Sequence, residues 1–383
     1  MSDQREVAAV PRNILLVANW PSDTGYAWWL METFWIAIAQ KYSAGGRRIL
    51  LCYPKIVTLN RRLTEAGIEC MEFDFNFEKP SDLKRFLIEN GVGCIYFSDR
   101  PYVSRAYAKI RDAGVHAILV HDHTPGDRTK PSGLKRLLKT AIARVGRYTA
   151  DAYIACSKPV LRRFTEVACL PAEKCHLAVN GVDMKKFVSA ATNIRSEIGL
   201  PPEQILVVSS GRATQYKGIH RIIDAAAVLR DRRPDLPVTF LHCGDGPDMQ
   251  FFRERIASHG LGNRFQMLGM RNDVPDVLMS ANIAVHASEG EGLSLAILEF
   301  MAAGLPAVVP NSPTVAQSID DGRTGVLYAA GDSAGLAASL ISLATDEPLR
   351  ARLGKAARAE VLANYNLSST VESVLQTFNG LDV

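Results

Sequence analysis

The chain has 383 residues, 47% of them apolar, with a net charge of +4, which suits a globular protein of two ordinary domains. Its seven cysteines are scattered and form no Cys-x-x-Cys pair, so they read as small core residues of a reducing compartment rather than as a zinc or redox site. Asp3, Glu6 and Pro11 precede the first apolar run, and no later run reaches spanning length without a charge or proline. The sequence therefore predicts no secretory signal and no membrane span, and a cytoplasmic protein that is soluble or peripheral on a membrane. Its charge is uneven, with +9 on residues 1–190 and −5 on 191–383, so the two halves are expected to face different partners, with no nucleic acid among them.

In chain order, Asn13–Asn19 reads as a buried parallel strand, followed by a turn and a helix to about Lys41. Gly25 sits in that turn, where a backbone without Cβ could approach a ligand. Strand and helix patterns then alternate: strands at Arg48–Cys52, Cys70–Phe73, Gly93–Phe97 and Ala117–Val120, with helices near Thr58–Ala66, Ser81–Asn90 and Ala106–Ala113 between them. Such alternation predicts a doubly wound sheet with ligands at the carboxyl ends of its strands. His121 follows the last of these strands at that edge, with His123 as the second choice.

Gly133–Tyr148 carries Leu134, Leu137, Leu138, Ala141, Ile142 and Val145 at helical spacing. Seven basic residues and no acidic one lie between Arg128 and Arg147. A basic amphipathic helix of this kind can dock on an anionic membrane or pack its stripe onto the sheet, and the sequence leaves both open. Ala152–Ala155 reads as a further strand. Pro201-Pro202 and the run 188–203 mark a domain boundary.

The second half opens with a strand at Ile205–Ser209, then Gly211-Arg212-Ala213-Thr214-Gln215-Tyr216-Lys217-Gly218 leading into a helix. Two cations near a helix N-terminus suit a doubly charged phosphate. Strands follow at Val238–Cys243 and Phe265–Leu268, with Gly269-Met270-Arg271 closing the latter. The run Ile283–Ala287 leads into a turn with Gly290, Glu291 and Gly292, and then an almost wholly apolar helix from Ser294 to Ala303. Ser294 can cap that helix, and Gly304 and Pro306 stop it. Glu299 sits in its middle, where a carboxylate costs several kcal/mol unless it is bonded or paired. The turn and helix start together make an anion site, and Glu291 would reach into the cleft beside it.

The Glu291-x7-Glu299 spacing with its Ala-Ala-Gly-Leu-Pro stop, the Gly-Arg and Lys-Gly pairs, and Asn180-Gly181-Val182-Asp183 resemble retaining glycosyltransferases of the GT-B fold, family 4 type. Glu289 is a rival for the first carboxylate, but its spacing is two residues too long. Leu293 and Ser294 stand where the family often has Phe-Gly, and Thr24-Gly25 where it often has Gly-Gly. The resemblance implies an α/β chain of two doubly wound Rossmann-like domains facing a central cleft. These are residues 1–187 on the acceptor side, 188–366 binding the nucleotide sugar, and 367–383 packing back on the first domain. It further implies that Glu291 contacts the donor sugar and that Gly211, Arg212, Lys217 and the amides of Gly292, Leu293, Ser294 and Leu295 hold the diphosphate. Glu299 would bind the ribose, the backbone at Met270 the base, and His121 and Gly25 the sugar or phosphate. The expected reaction moves a sugar from a nucleoside-diphosphate donor to a glycan or lipid-linked glycan with retention of configuration. No Asp-x-Asp motif is present, so no metal or other cofactor is expected, and Arg212, Lys217 and the helix dipole would stabilise the leaving group. The alternatives are an epimerase or phosphorylase on the same fold, or a catalytically silent sugar-nucleotide-binding protein.

Overall fold

A computed structural model describes residues 12–23, 28–75, 80–126 and 128–381. The chain divides into two compact units. One takes in Arg128–Ala178, most of what precedes Thr124, and the chain from Val371, while the other takes in Val179–Thr370 and the few residues after His123.

The first unit is built on seven parallel strands: β1 (Asn13–Val17), β2 (Ile49–Tyr53), β3 (Ile68–Glu72), β4 (Val92–Ser98), β5 (Ala117–Asp122), β6 (Ala152–Ala155) and β7 (Cys175–Leu177). Their order is β3-β2-β1-β4-β5-β6-β7. The strands read as unbroken apolar runs because helices cover both faces of a parallel sheet, and β2, β4 and β5 are buried along their whole length. Phe378, in the last helix (Leu367–Asn379), is fully buried against the rings of Tyr42 and Tyr96.

The second unit has six parallel strands: β8 (Ile205–Ser210), β9 (Val238–Cys243), β10 (Phe265–Gly269), β11 (Ile283–Val285), β12 (Ala307–Pro310) and β13 (Gly325–Tyr328). They run in the order β10-β9-β8-β11-β12-β13. Val207, Phe240 and Ile283 of the sheet pack with Ile222, Ile223 and Leu340 of the flanking helices into one core. Each such side chain contributes about 1.5–3 kcal/mol on burial. Successive strands step outward from β8 to β10, and the chain then returns to place β11 on the other side of β8. Ligands of doubly wound sheets bind at this reversal, past the carboxyl ends of the two central strands.

Three expectations change on contact with the structure. β5 runs on through Asp122, so His121 lies inside the strand rather than just past it. Cys175–Leu177, where the sequence predicts no strand, forms the edge strand β7. The run Gly133–Tyr148 is α-helical only over Gly133–Ala143, with a separate 3-10 turn at Gly146–Tyr148. Its leucine stripe does not pack onto the sheet: Leu134 is 71% exposed and Leu137 69%. Among the described residues no helix is long and apolar enough to cross a membrane.

Candidate functional site

The segment that follows β8 is held from below. Gly211 donates its N–H to the Cys243 carbonyl (3.0 Å), and its own carbonyl lies 3.1 Å from His242 Nε2. A carbonyl only accepts, so His242 carries its proton on Nε2 and takes the Ser209 hydroxyl on Nδ1 (2.8 Å). Burial lowers the His242 pKa to about 4 against the opposing bond to Gly211, so this ring is a neutral strut near neutral pH. The loop continues with Ala213 N–H on the Asp245 carbonyl (2.9 Å) and Gln215 N–H on Asp248 Oδ2 (2.7 Å). It presents Arg212 at the surface and Lys217 half-buried. Gly218 has φ +70°, and a Cβ there would stand 2.0 Å from the Ala287 carbonyl oxygen. Only glycine lets this loop lie directly on the chain leaving β11.

That second segment supplies the partner. His286 is 4% exposed and directs Nε2 to Glu291 Oε1 at 2.9 Å, while Lys217 Nζ reaches the same oxygen at 2.7 Å. Burial pushes the Glu291 carboxyl up, but Lys217 and His286 outweigh it and hold the pKa down to about 2. The group is therefore a carboxylate at any physiological pH. Both bonds fall on Oε1, which leaves Oε2 for a ligand. Glu289, the rival by spacing, is half-exposed and pairs with Arg221 at 2.9 Å. The Glu289 N–H bonds the Tyr216 carbonyl (3.0 Å), tying the two segments together again.

From Glu291 the chain passes through Gly292, whose carbonyl accepts from Gln317 Nε2 (2.8 Å), and through buried Leu293 into the helix Leu295–Ala302. Ser294 occupies the N-cap as expected but makes no side-chain capping bond. The N–H groups of the first turn have no partners within the helix, as at any helix start, and they carry the positive end of its dipole. Glu299 is 4% exposed in the same helix, between Leu298 and Phe300, both wholly buried.

The structure thus gathers Gly211, Arg212 and Lys217 on one segment at the sheet reversal and Glu291, Gly292, Leu293, Ser294 and Leu295 on the other, with Lys217 and Glu291 in contact. Met270 stands past β10, 61% exposed, and its neighbour Arg271 is held by Glu197 and Asp273. His242 and His286 escaped the sequence reading. The available signal was a histidine at or just past the end of an apolar strand. Gly25 lies outside the described residues.

His121 belongs to the first unit. It is fully buried, with Nδ1 2.5 Å from the Tyr96 hydroxyl and its ring against Phe34 and His123. Burial, with a smaller contribution from His123, drives its pKa well below the usual imidazole value, so the ring is neutral. Its Nε2 makes no hydrogen bond among the described residues. Beside it, Asp99 accepts the His123 N–H (2.6 Å), and the Asp122 carboxylate pairs with buried Arg163 at 2.9 Å.

Two parallel units, with a cation-bearing loop and a helix start at the reversal of the second sheet, define a doubly wound α/β architecture. Residues 190–360 match the family described as Glycosyl transferases group 1. Among curated relatives, the lipopolysaccharide core biosynthesis mannosyltransferase LpsB of Rhizobium meliloti is 25% identical over 210 residues, covering 53% of this chain and 60% of that protein. The chain spans 54–60% of the length of the first curated relatives it matches. Solved structures agree over nearly the whole chain. A glycosyltransferase from Rickettsia africae superposes with a TM-score of 0.76 at 18% identity, covering 97% of this chain and 98% of that one. Anabaena HepE in complex with UDP-glucose gives 0.74 at 21%, covering 96% and 99%. These likenesses establish the fold: two Rossmann-like units of the GT-B type.

Proposed function

We propose that the chain transfers a sugar from a nucleoside-diphosphate sugar to a glycan or lipid-linked glycan with retention at the anomeric carbon, and that the second unit holds the donor. The observation that carries this reading is the Lys217–Glu291–His286 cluster set beside an uncapped helix start at the sheet reversal. An ionised carboxylate with one oxygen committed to Lys217 and His286 has the other ready to accept sugar hydroxyls. Lys217 bridges from it to the diphosphate, and Arg212 and the amides of Leu293–Leu295 share the charge that grows as the glycosidic C–O bond breaks. The acceptor oxygen bonds the same face of the anomeric carbon, and its proton passes to the departing phosphate oxygen. No divalent cation takes part in this scheme.

Glu299 takes the ribose hydroxyls and the backbone at Met270 the base. His121 offers a sugar contact through Nε2 as a neutral ring. A solved structure of the same fold, Anabaena HepE, was determined with UDP-glucose, which makes UDP-sugars the first candidates.

A thermal-shift screen against UDP-, GDP-, ADP- and CDP-sugars tests the reading, since a donor at one hundred times its dissociation constant adds about 2.7 kcal/mol of stability. The donor that stabilises the protein should also be hydrolysed slowly without an acceptor, in EDTA as well as in Mg2+. Stabilisation without hydrolysis or transfer would support the silent-binder alternative, and no stabilisation by any nucleotide sugar would overturn both.

A further inference from the structure

The helix Gly133–Ala143 is mounted inside out. Of its eleven residues only Ala143 is buried. Leu134, Leu137, Leu138 and Ile142, with Val145 just beyond, are 43–71% exposed. At 100° per residue these side chains fall on one face, and Ala143 and Lys139 fall on the other, where Lys139 Nζ reaches the Val167 carbonyl (3.1 Å). A helix this short is marginal in water without a packed face, so its stability calls for something to cover the leucines.

The charges beside that face say what. Lys135 borders the leucines on one side and Arg144 on the other, while Arg136 falls beside Ala143 on the opposite face; neither Lys135 nor Arg144 makes an ion pair among the described residues, whereas Lys130 and Arg147 are paired with Glu166 and Asp112. No acidic residue occurs from Arg128 to Arg147. A protein partner with an apolar groove would ask only for the leucines. Unopposed cations on both sides of an apolar face match a surface that is greasy inside and anionic at its rim.

We infer that the first unit docks on an anionic membrane through this helix, which lies flat in the interface with Leu134, Leu137, Leu138 and Ile142 in the acyl boundary and Lys135 and Arg144 among the headgroups. The inference stands on exposure and charge alone and does not depend on the donor or the reaction. Each cation near such a surface is worth about a fivefold gain in binding, and the attraction fades within a Debye length of about 8 Å at physiological salt.

Co-sedimentation of the full chain with vesicles tests it. The protein should pellet with phosphatidylcholine–phosphatidylglycerol vesicles at low salt, pellet poorly with phosphatidylcholine alone, and release in high salt. Replacing Lys135 and Arg144 by Gln should weaken binding roughly twenty-five-fold, as two such contributions multiply, whereas Arg136→Gln should change it little. The double variant Leu134→Gln, Leu138→Gln should lose binding even at low salt. These variants alter exposed side chains outside the donor site, so unchanged thermal transitions and unchanged donor stabilisation serve as controls. Equal pelleting with neutral and anionic vesicles, or none with either, would overturn the proposal. So would a wild-type dimer that the leucine variant dissociates without any vesicle binding, since a second copy would then be the cover.

Discussion

The helices Gly133–Ala143 and Leu295–Ala302 break the same rule in opposite directions. The first, in unit one, turns its leucines outward and sets Lys139 against the protein. The second, in unit two, buries every residue from Ile297 to Ala302 and takes the carboxylate of Glu299 in with them. An amphipathic helix exists to put apolar groups inside and charges outside. Where a folded chain instead exposes a stripe, the surface that covers it belongs to something other than the chain itself; where it buries a charge, polar groups must meet that charge inside.

Truncation in the second helix should have the largest effect. Leu298 is wholly buried, and Leu298→Ala should cost about 2–5 kcal/mol, read as a drop in the midpoint of denaturant unfolding; a loss below 1 kcal/mol would mean that the helix is not part of the core. Lys217→Ala should leave the fold intact and lower turnover by roughly two to three orders of magnitude, equivalent to about 2.7–4 kcal/mol, as for loss of one preorganised donor. Near-native turnover with an identified donor would remove Lys217 from the leaving-group role.

A pH titration of stability comes next. The folded Glu291 pKa, about 2, lies below its ordinary value of 4.5, so the group's contribution is complete above pH 4.5 and is lost as the pH falls towards 2. Wild type should lose about 3 kcal/mol over that window through this group, and Glu291→Gln should flatten the curve there. Identical curves for the two proteins would refute the strong pairing. In calorimetry, Glu299→Gln should weaken the free nucleoside diphosphate and the nucleotide sugar alike, by about 1–3 kcal/mol, whereas Glu291→Gln should weaken only the sugar-dependent part. Equal losses in all four titrations would end that division of labour. Least of all should happen at Leu138. It is 54% exposed, and Leu138→Ala should move the stability of the free protein by no more than about 0.5 kcal/mol. A cost near that of Leu298→Ala would show that the outward helix is packed after all.

Much of this contrast could be read from residue order. Buried parallel strands are continuous apolar runs, so the alternation that makes both sheets is visible along the chain, and Lys217-Gly218 and Glu291-x7-Glu299 are local patterns. The orientation of Gly133–Ala143 was not legible: periodicity shows that a helix has an apolar face, but rotating the helix by half a turn leaves the pattern unchanged. Nor was the cluster around Glu291. Lys217 stands 74 residues before it, and the two meet only because β8 and β11 are neighbours in the sheet. His286 is just five residues from Glu291, yet nothing in that spacing shows that the turn folds the carboxylate back onto the ring.

Gly218 has a consequence for how the site can change. With a carbonyl oxygen 2.0 Å from where any Cβ would be, the segment bearing Lys217 packs backbone against backbone on the chain that leads to Glu291. The separation of cation and carboxylate is thus set when the second unit folds, and a ligand arriving there meets two loops whose ordering entropy has already been lost. Alteration of specificity is then confined to side chains projecting from these segments, while the seat beneath them admits one amino acid out of twenty.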